Sequence, residues 1–250
     1  MMRAKTACLT MLLLATAAGA EAPWVSLFDG QTLAGWQVTG RPADVAKGLW
    51  RVADGAIEAN SLGQKGHDYV WLLSDREYGD FELALQFQAF RDSPGNSGVQ
   101  LRSRYDGAAF FLDGPQVDIH PPGWWRTGMI WDETRGSSRW LWPAVPKGKW
   151  VDESMAASNR VWRFSDEGDG WNQLQLRAVG TNLRAVLNGV TLMDWDGAGV
   201  LDDAVHRQRN VGLRGHLALQ IHRNDSLRIR FKDIRVREIA ADQPEKEHAP

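Results

Sequence analysis

The chain has 250 residues, with 29 basic against 31 acidic side chains and a formal net charge of −2. That balance, without any basic cluster, excludes a protein built to grip nucleic acid or an anionic membrane surface. Its lone cysteine, Cys8, lies near the N-terminus, so the rest of the chain must hold together without a disulfide, on a core that this length can build.

Arg3 and Lys5 precede an apolar run over residues 6–18, and Ala18-Gly19-Ala20 supplies small residues at a cleavage position. This is the pattern of a removable export signal over residues 1–20, with Ala20-Glu21-Ala22 as a slightly later cut. The run is short for a membrane span, although a retained anchor is the competing reading. A periplasmic or secreted protein without a membrane span is expected. Residues 23–240 read as one domain with no linker or internal repeat, and residues 241–250 as a flexible charged tail.

Period-two alternation dominates that domain. Between Phe81 and Ala89 the odd positions are apolar and the even ones mostly polar, as in a half-buried strand. The pattern resumes at Val99 after a Pro94–Gly98 turn, and again around Leu174, Leu183, Leu217 and Leu227. Asn188-Gly189 signals a tight type I′ hairpin. No helical periodicity of any length follows the leader. Many short strands with regularly spaced turns predict an antiparallel jelly-roll β-sandwich.

The densest chemistry lies between Gly114 and Arg135, which together hold three carboxylates, one imidazole, two guanidiniums and three indoles. Carboxylates accept hydroxyl hydrogen bonds or move protons, and an indole face covers the C–H face of a pyranose. Six of the 13 tryptophans fall between residues 124 and 150, a concentration that points to a ligand. Alternation places Val117 and Ile119 inward, with Gln116, Asp118 and His120 on the opposite face. In the same way Leu101 points inward while Gln100, Arg102 and Arg104 point out, and Gln220 and His222 lie opposite Leu219 and Ile221. If these three strands share one curved sheet, their outward residues line a polar groove.

Several blocks resemble the 3-keto-disaccharide hydrolase family. They include Leu27-Phe28-Asp29-Gly30, Tyr78-Gly79-Asp80-Phe81-Glu82-Leu83, Gly95-Asn96-Ser97-Gly98-Val99-Gln100 and Leu219-Gln220-Ile221-His222. The central blocks are Gly114-Pro115-Gln116-Val117-Asp118-Ile119, Gly123-Trp124-Trp125-Arg126 and Trp131-Asp132-Glu133-Thr134-Arg135. The resemblance spans residues 27–239 and implies a concanavalin A-like sandwich acting on glycosides oxidised at C3. Pro115, Arg126, Trp131, His120-Pro121-Pro122 and Arg223-Asn224-Asp225 depart from the family pattern, which places substrate preference at those positions.

A C3 ketone acidifies the C2 proton. Cleavage then needs a base, a stabiliser for the enolate oxygen and a proton for the departing C1 oxygen. Asp118, His222, Glu133 and Asp132 are the candidate acids and bases. Asp132 and Glu133 are adjacent and point apart in extended chain, so only one easily reaches a given ligand. Arg102, Arg135 or a divalent metal ion are the candidate stabilisers, with Asp118, His120 and His222 as metal donors, although their spacing is not diagnostic. Gln116, His120, Gln220, Trp124, Trp125 and Trp131 complete the expected carbohydrate-binding set. Competing readings are a non-catalytic carbohydrate-binding, laminin-G-like module and a conventional two-carboxylate glycosidase. Asp118→Asn and His222→Ala are expected to abolish turnover with little change in stability.

Overall fold

The structure is a computed structural model in which residues 22–64, 66–146, 148–157 and 161–240 are described. The expected leader and the tail after residue 240 lie outside the described residues. Two eight-stranded antiparallel sheets pack face to face. Sheet I runs β14 (Val190–Asp196), β13 (Asn182–Leu187), β12 (Asn172–Val179), β6 (Phe81–Ala89), β16 (Arg228–Glu238), β4 (Ala56–Asn60), β3 (Trp50–Ala53), with β1 (Val25–Ser26) also on β16. Sheet II runs β11 (Arg139–Trp142), β10 (Ile130–Asp132), β9 (Pro115–Ile119), β7 (Ser97–Asp106), β15 (Gly215–Ile221), β5 (Val70–Tyr78), β2 (Trp36–Gly40), with β8 (Phe111–Asp113) also on β7. The only α-helices among the described residues are short: α1 (Pro42–Val45) and α2 (Ala204–Arg209). The expected jelly-roll sandwich is therefore what forms, and no helix among the described residues is long and apolar enough to cross a membrane.

Alternation decides what each sheet buries. Leu83, Leu85 and Phe87 from β6 meet Val99, Leu101, Val117, Ile119, Leu219 and Ile221 from sheet II in one continuous core. Asn188 and Gly189 adopt positive φ of 48° and 83° and close the β13–β14 hairpin, as a type I′ turn requires. The first and last strands pair, Val25 opposite Val236, which ties the two ends of the domain together.

Bulges break the parity that a sequence pattern assumes, and two of them bear on the core and the site. In β16 the register shifts between Lys232 and Arg235, so Ile229 and Phe231 are followed in the core by Ile234 and Val236. In β7, Leu101 and Arg102 together stand opposite the single Leu217 of β15, and Arg102 has φ +49°. An extra residue turns every later side chain to the other face.

Candidate active site

β9, β7 and β15 are consecutive neighbours in sheet II, so the three strands with outward polar residues do share a sheet. One row across its outer face runs Trp131, Gln116, Gln100, Ala218, Leu73. Asp118 stands opposite Gly98, and Gln220 opposite Trp71. Glycine at 98 is required by close approach, because a Cβ there would lie 2.5 Å from Cδ of Gln116. Gln116 thus lies over the β7 backbone, and its Nε2 comes within 3.4 Å of Asp118 Oδ1.

Asp118 is buried and fully engaged. Asn96 Nδ2 donates to Oδ1 at 3.0 Å, and Arg126 Nε donates to Oδ2 at 2.8 Å. Glu133 reaches over the same face, where Gln220 Nε2 donates to it at 3.3 Å. Burial pushes the Glu133 carboxyl up to about 7, and the Gln220 bond and His222 only partly oppose this. His222 follows β15, with Nε2 3.3 Å from the Tyr69 hydroxyl and Nδ1 3.3 Å from Asp225 Oδ2. Asp225 also accepts the Asn96 amide at 2.7 Å. Burial would raise its carboxyl, but His222 and that amide hold it below the usual range. Burial, reinforced by Glu133, keeps the Tyr69 phenol well above its ordinary range, so it remains a neutral donor.

Polar atoms without partners gather here. Both amide atoms of Gln100, and the side-chain oxygens of Gln116, Gln220 and Asn96, are buried and make no hydrogen bond among the described residues. Leaving so many buried amide atoms unmatched is costly, and hydroxyl groups of a ligand would satisfy donors and acceptors alike. An aromatic wall stands on the β5 side, where Tyr69 stacks on Trp71 at 5.3 Å and meets the His222 ring edge-on at 5.0 Å.

Not every expected site residue belongs to this face. Arg102 is wholly buried, and the bulge turns it away, where it donates to the carbonyls of Gly79, Gly180 and Gly212 and to Asp80. Burial pushes its guanidinium down to about 10, while Asp80 favours the charge. Arg135 grips Asp113 and Asp106, pinning the loop after β10 onto the β7–β8 hairpin. Asp132 caps Thr134 N and lies 3.4 Å from His206 of α2, so Glu133 is the member of the pair that lies against Gln220 on the outer face of sheet II. Trp124 and Trp125 turn toward Trp142, Trp162 and Leu192, lining a mainly apolar crevice whose lining includes none of the polar floor residues. His120 sits at the rim, its Nδ1 accepting the Gly123 amide at 2.8 Å; burial and Arg126 hold its ring below its usual basicity. Trp131 remains beside the floor, opposite Gln116.

The donors expected for a divalent cation do not converge. Among the described residues no three His, Cys, Asp or Glu side chains are grouped to hold a metal. Asp118 is already committed to Arg126 and Asn96, and His120 to Gly123.

Tyr69, Asp225 and Gln100 are the site residues that sequence reasoning passed over. Asp225 stood in a stretch marked only as a departure, and Gln100 only as an outward residue. A signal for Tyr69 is present, since it immediately precedes β5, whose large side chains fall on both faces as in a strand covered on both sides.

Solved structures share this architecture. A protein of Parabacteroides distasonis provisionally named a glycosyl hydrolase is 17% identical, covers 87% of this chain and 94% of its own, and superposes with a TM-score of 0.56. A Bacillus subtilis protein of unknown function with a galectin-like fold is 11% identical over 88% of this chain and 96% of its own, also at 0.56. At such identities these likenesses establish the fold alone. No curated protein matches the chain. Residues 23–237 match the profile of the 3-keto-alpha-glucoside-1,2-lyase-like domain, and the chain belongs to that family.

Proposed function

We propose that the protein cleaves 3-keto-glycosides, with Glu133 as the base that removes the C2 proton. The observation that carries this reading is a buried carboxyl brought to about 7, set among amide donors and acceptors and beside a neutral phenol. A base acting near neutral pH is most effective when its own pKa lies there. The Glu133 carboxylate takes the C2 proton, and the C–H electron pair becomes the C2–C3 double bond of an enolate with its charge on O3. The Tyr69 hydroxyl, beside His222, donates to that oxygen. It takes the role for which the sequence offered Arg102, Arg135 or a divalent metal ion; both arginines are used up in the framework.

As the C3 carbonyl re-forms, the C1–O bond breaks and a C1–C2 double bond remains. In net terms the proton taken from C2 leaves on the aglycone oxygen, and Glu133 returns to its carboxylate. Addition of water to the unsaturated ketone completes a net hydrolysis; without it the protein is a lyase. Export to the periplasm or beyond belongs to this proposal, on the strength of the leader sequence.

The test offers the protein a methyl glucoside and its 3-keto derivative, with and without chelator, following methanol release and the conjugated ketone by absorbance. Release from the keto compound alone is expected, and Glu133→Gln should lower it at least a hundredfold. Cleavage of the unoxidised glucoside would point instead to a conventional glycosidase, and binding without release to a carbohydrate-binding module.

A further inference from the structure

We propose that Trp150 and Trp131 form an aglycone subsite that takes the second sugar ring of the substrate; this rests on the reading of Glu133 as the base at C2. Trp150 is 59% exposed, the largest exposure among the big hydrophobic side chains of the described residues. It is nonetheless held in place. The next residue, Val151, is buried against Met129 and Trp140, and the Trp150 ring packs edge-on to Trp140 at 5.3 Å and tilted on Trp131 at 5.5 Å. An indole fixed on one side and open on the other is a preformed platform for the apolar face of a pyranose.

Arg126 ties this platform to the catalytic floor. Its guanidinium lies 5.3 Å from the Trp140 ring and 5.6 Å from the Trp150 ring, while its Nε holds Asp118 at 2.8 Å. The indole is therefore one side chain away from the buried carboxylate. Arg126 and Trp131 are both positions at which the sequence departs from the family pattern, and both lie against Trp140 and Trp150.

Orientation of the substrate selects this side. With O3 at Tyr69, on the β5 side, and C2 at Glu133, the C1 oxygen faces the β9–β10 side, where Trp131 borders the floor. On the Tyr69 side lie the Arg41–Asp68 ion pair at 2.7 Å and the Lys47–Asp44 pair at 2.7 Å, linked to Tyr69 through Asp68. A neutral sugar there would displace water from paired charges, whereas the indole exit exposes apolar surface.

Binding separates this proposal from the proposed reaction. Calorimetric titrations of the Glu133→Gln protein, which holds ligand without turnover, use a 3-keto-disaccharide and methyl 3-keto-glucoside. The disaccharide is expected to bind about tenfold tighter. Adding Trp150→Ala should erase that advantage and leave the methyl glycoside unaffected, with thermal unfolding lowered only slightly because most of the ring is exposed and it packs only on Trp131, Trp140 and Arg126. Equal affinities for the two ligands, no binding of either, or a Trp150→Ala loss shared by both would overturn the subsite. Methyl glycoside cleavage by the unaltered protein judges the reaction separately, since that substrate never reaches the platform.

Discussion

Replacing Glu133 by glutamine should cost the protein its turnover and make it more stable, by an amount that grows from about pH 4.5 to about 7 and is then constant. The folded carboxyl sits at about 7 against an ordinary value of 4.5. Between those values the folded state holds a proton that the unfolded state has released. Stability from this group is thus fully present below about 4.5 and is lost as pH rises to about 7, staying low above it. The span of about 2.5 units corresponds to roughly 3 kcal/mol at about 1.4 kcal/mol per unit. Glutamine has the same shape, never ionises, and can donate to the Gln220 oxygen that now lacks a partner. At pH 8.5 the variant should therefore gain up to about 3 kcal/mol, or roughly 6–12 °C in melting temperature for a domain of this size. At pH 4.5 the two proteins should melt within about 1 °C of each other, since both are then neutral at this position. Calorimetric melting at the two pH values, for both proteins, is the assay, and the difference between proteins cancels every other titrating group. A variant less stable at pH 8.5, or equally shifted at both pH values, would refute the burial of an uncompensated carboxylate at 133.

Other perturbations separate framework from chemistry. Arg102→Ala should cost about 3 kcal/mol or more in denaturant unfolding, because three carbonyls and Asp80 lose one buried donor, and Arg102→Lys should recover only part of it. Asp118→Asn should lower turnover and also stability, by about 1–3 kcal/mol, since the charge-assisted bond from Arg126 is lost; the sequence reading expected stability to be unaffected, and melting measurements decide between them. Gly98→Ala should reduce the affinity for keto-glycoside more than it reduces melting temperature, since its Cβ would displace the Gln116 side chain.

The sandwich was legible because it depends on a repeat of two residues that every strand carries locally. The alternation in β6, β9 and β15 placed each side chain on the correct face, and Asn188-Gly189 marked its own hairpin. The same rule failed at Arg102, where one bulged residue reverses the parity, and nothing in the local sequence announces the extra residue. It also could not choose between Asp132 and Glu133, for which the partner helix α2 and the amide of Gln220 decide.

The chain by itself thus determined a β-sandwich, the family to which it belongs and the short segment richest in acids and indoles, since periodicity and motif are properties of neighbours in sequence. Only the tertiary structure brought Tyr69 and His222 up to the segment that carries Asp118 and Glu133, three separate stretches of chain, and took Arg102, Arg135 and Asp132 out of the site. The physical reason is that the pKa and the partners of a side chain are set by what packs against it. For Glu133 those neighbours, Gln220 and His222, lie almost ninety residues farther along the chain.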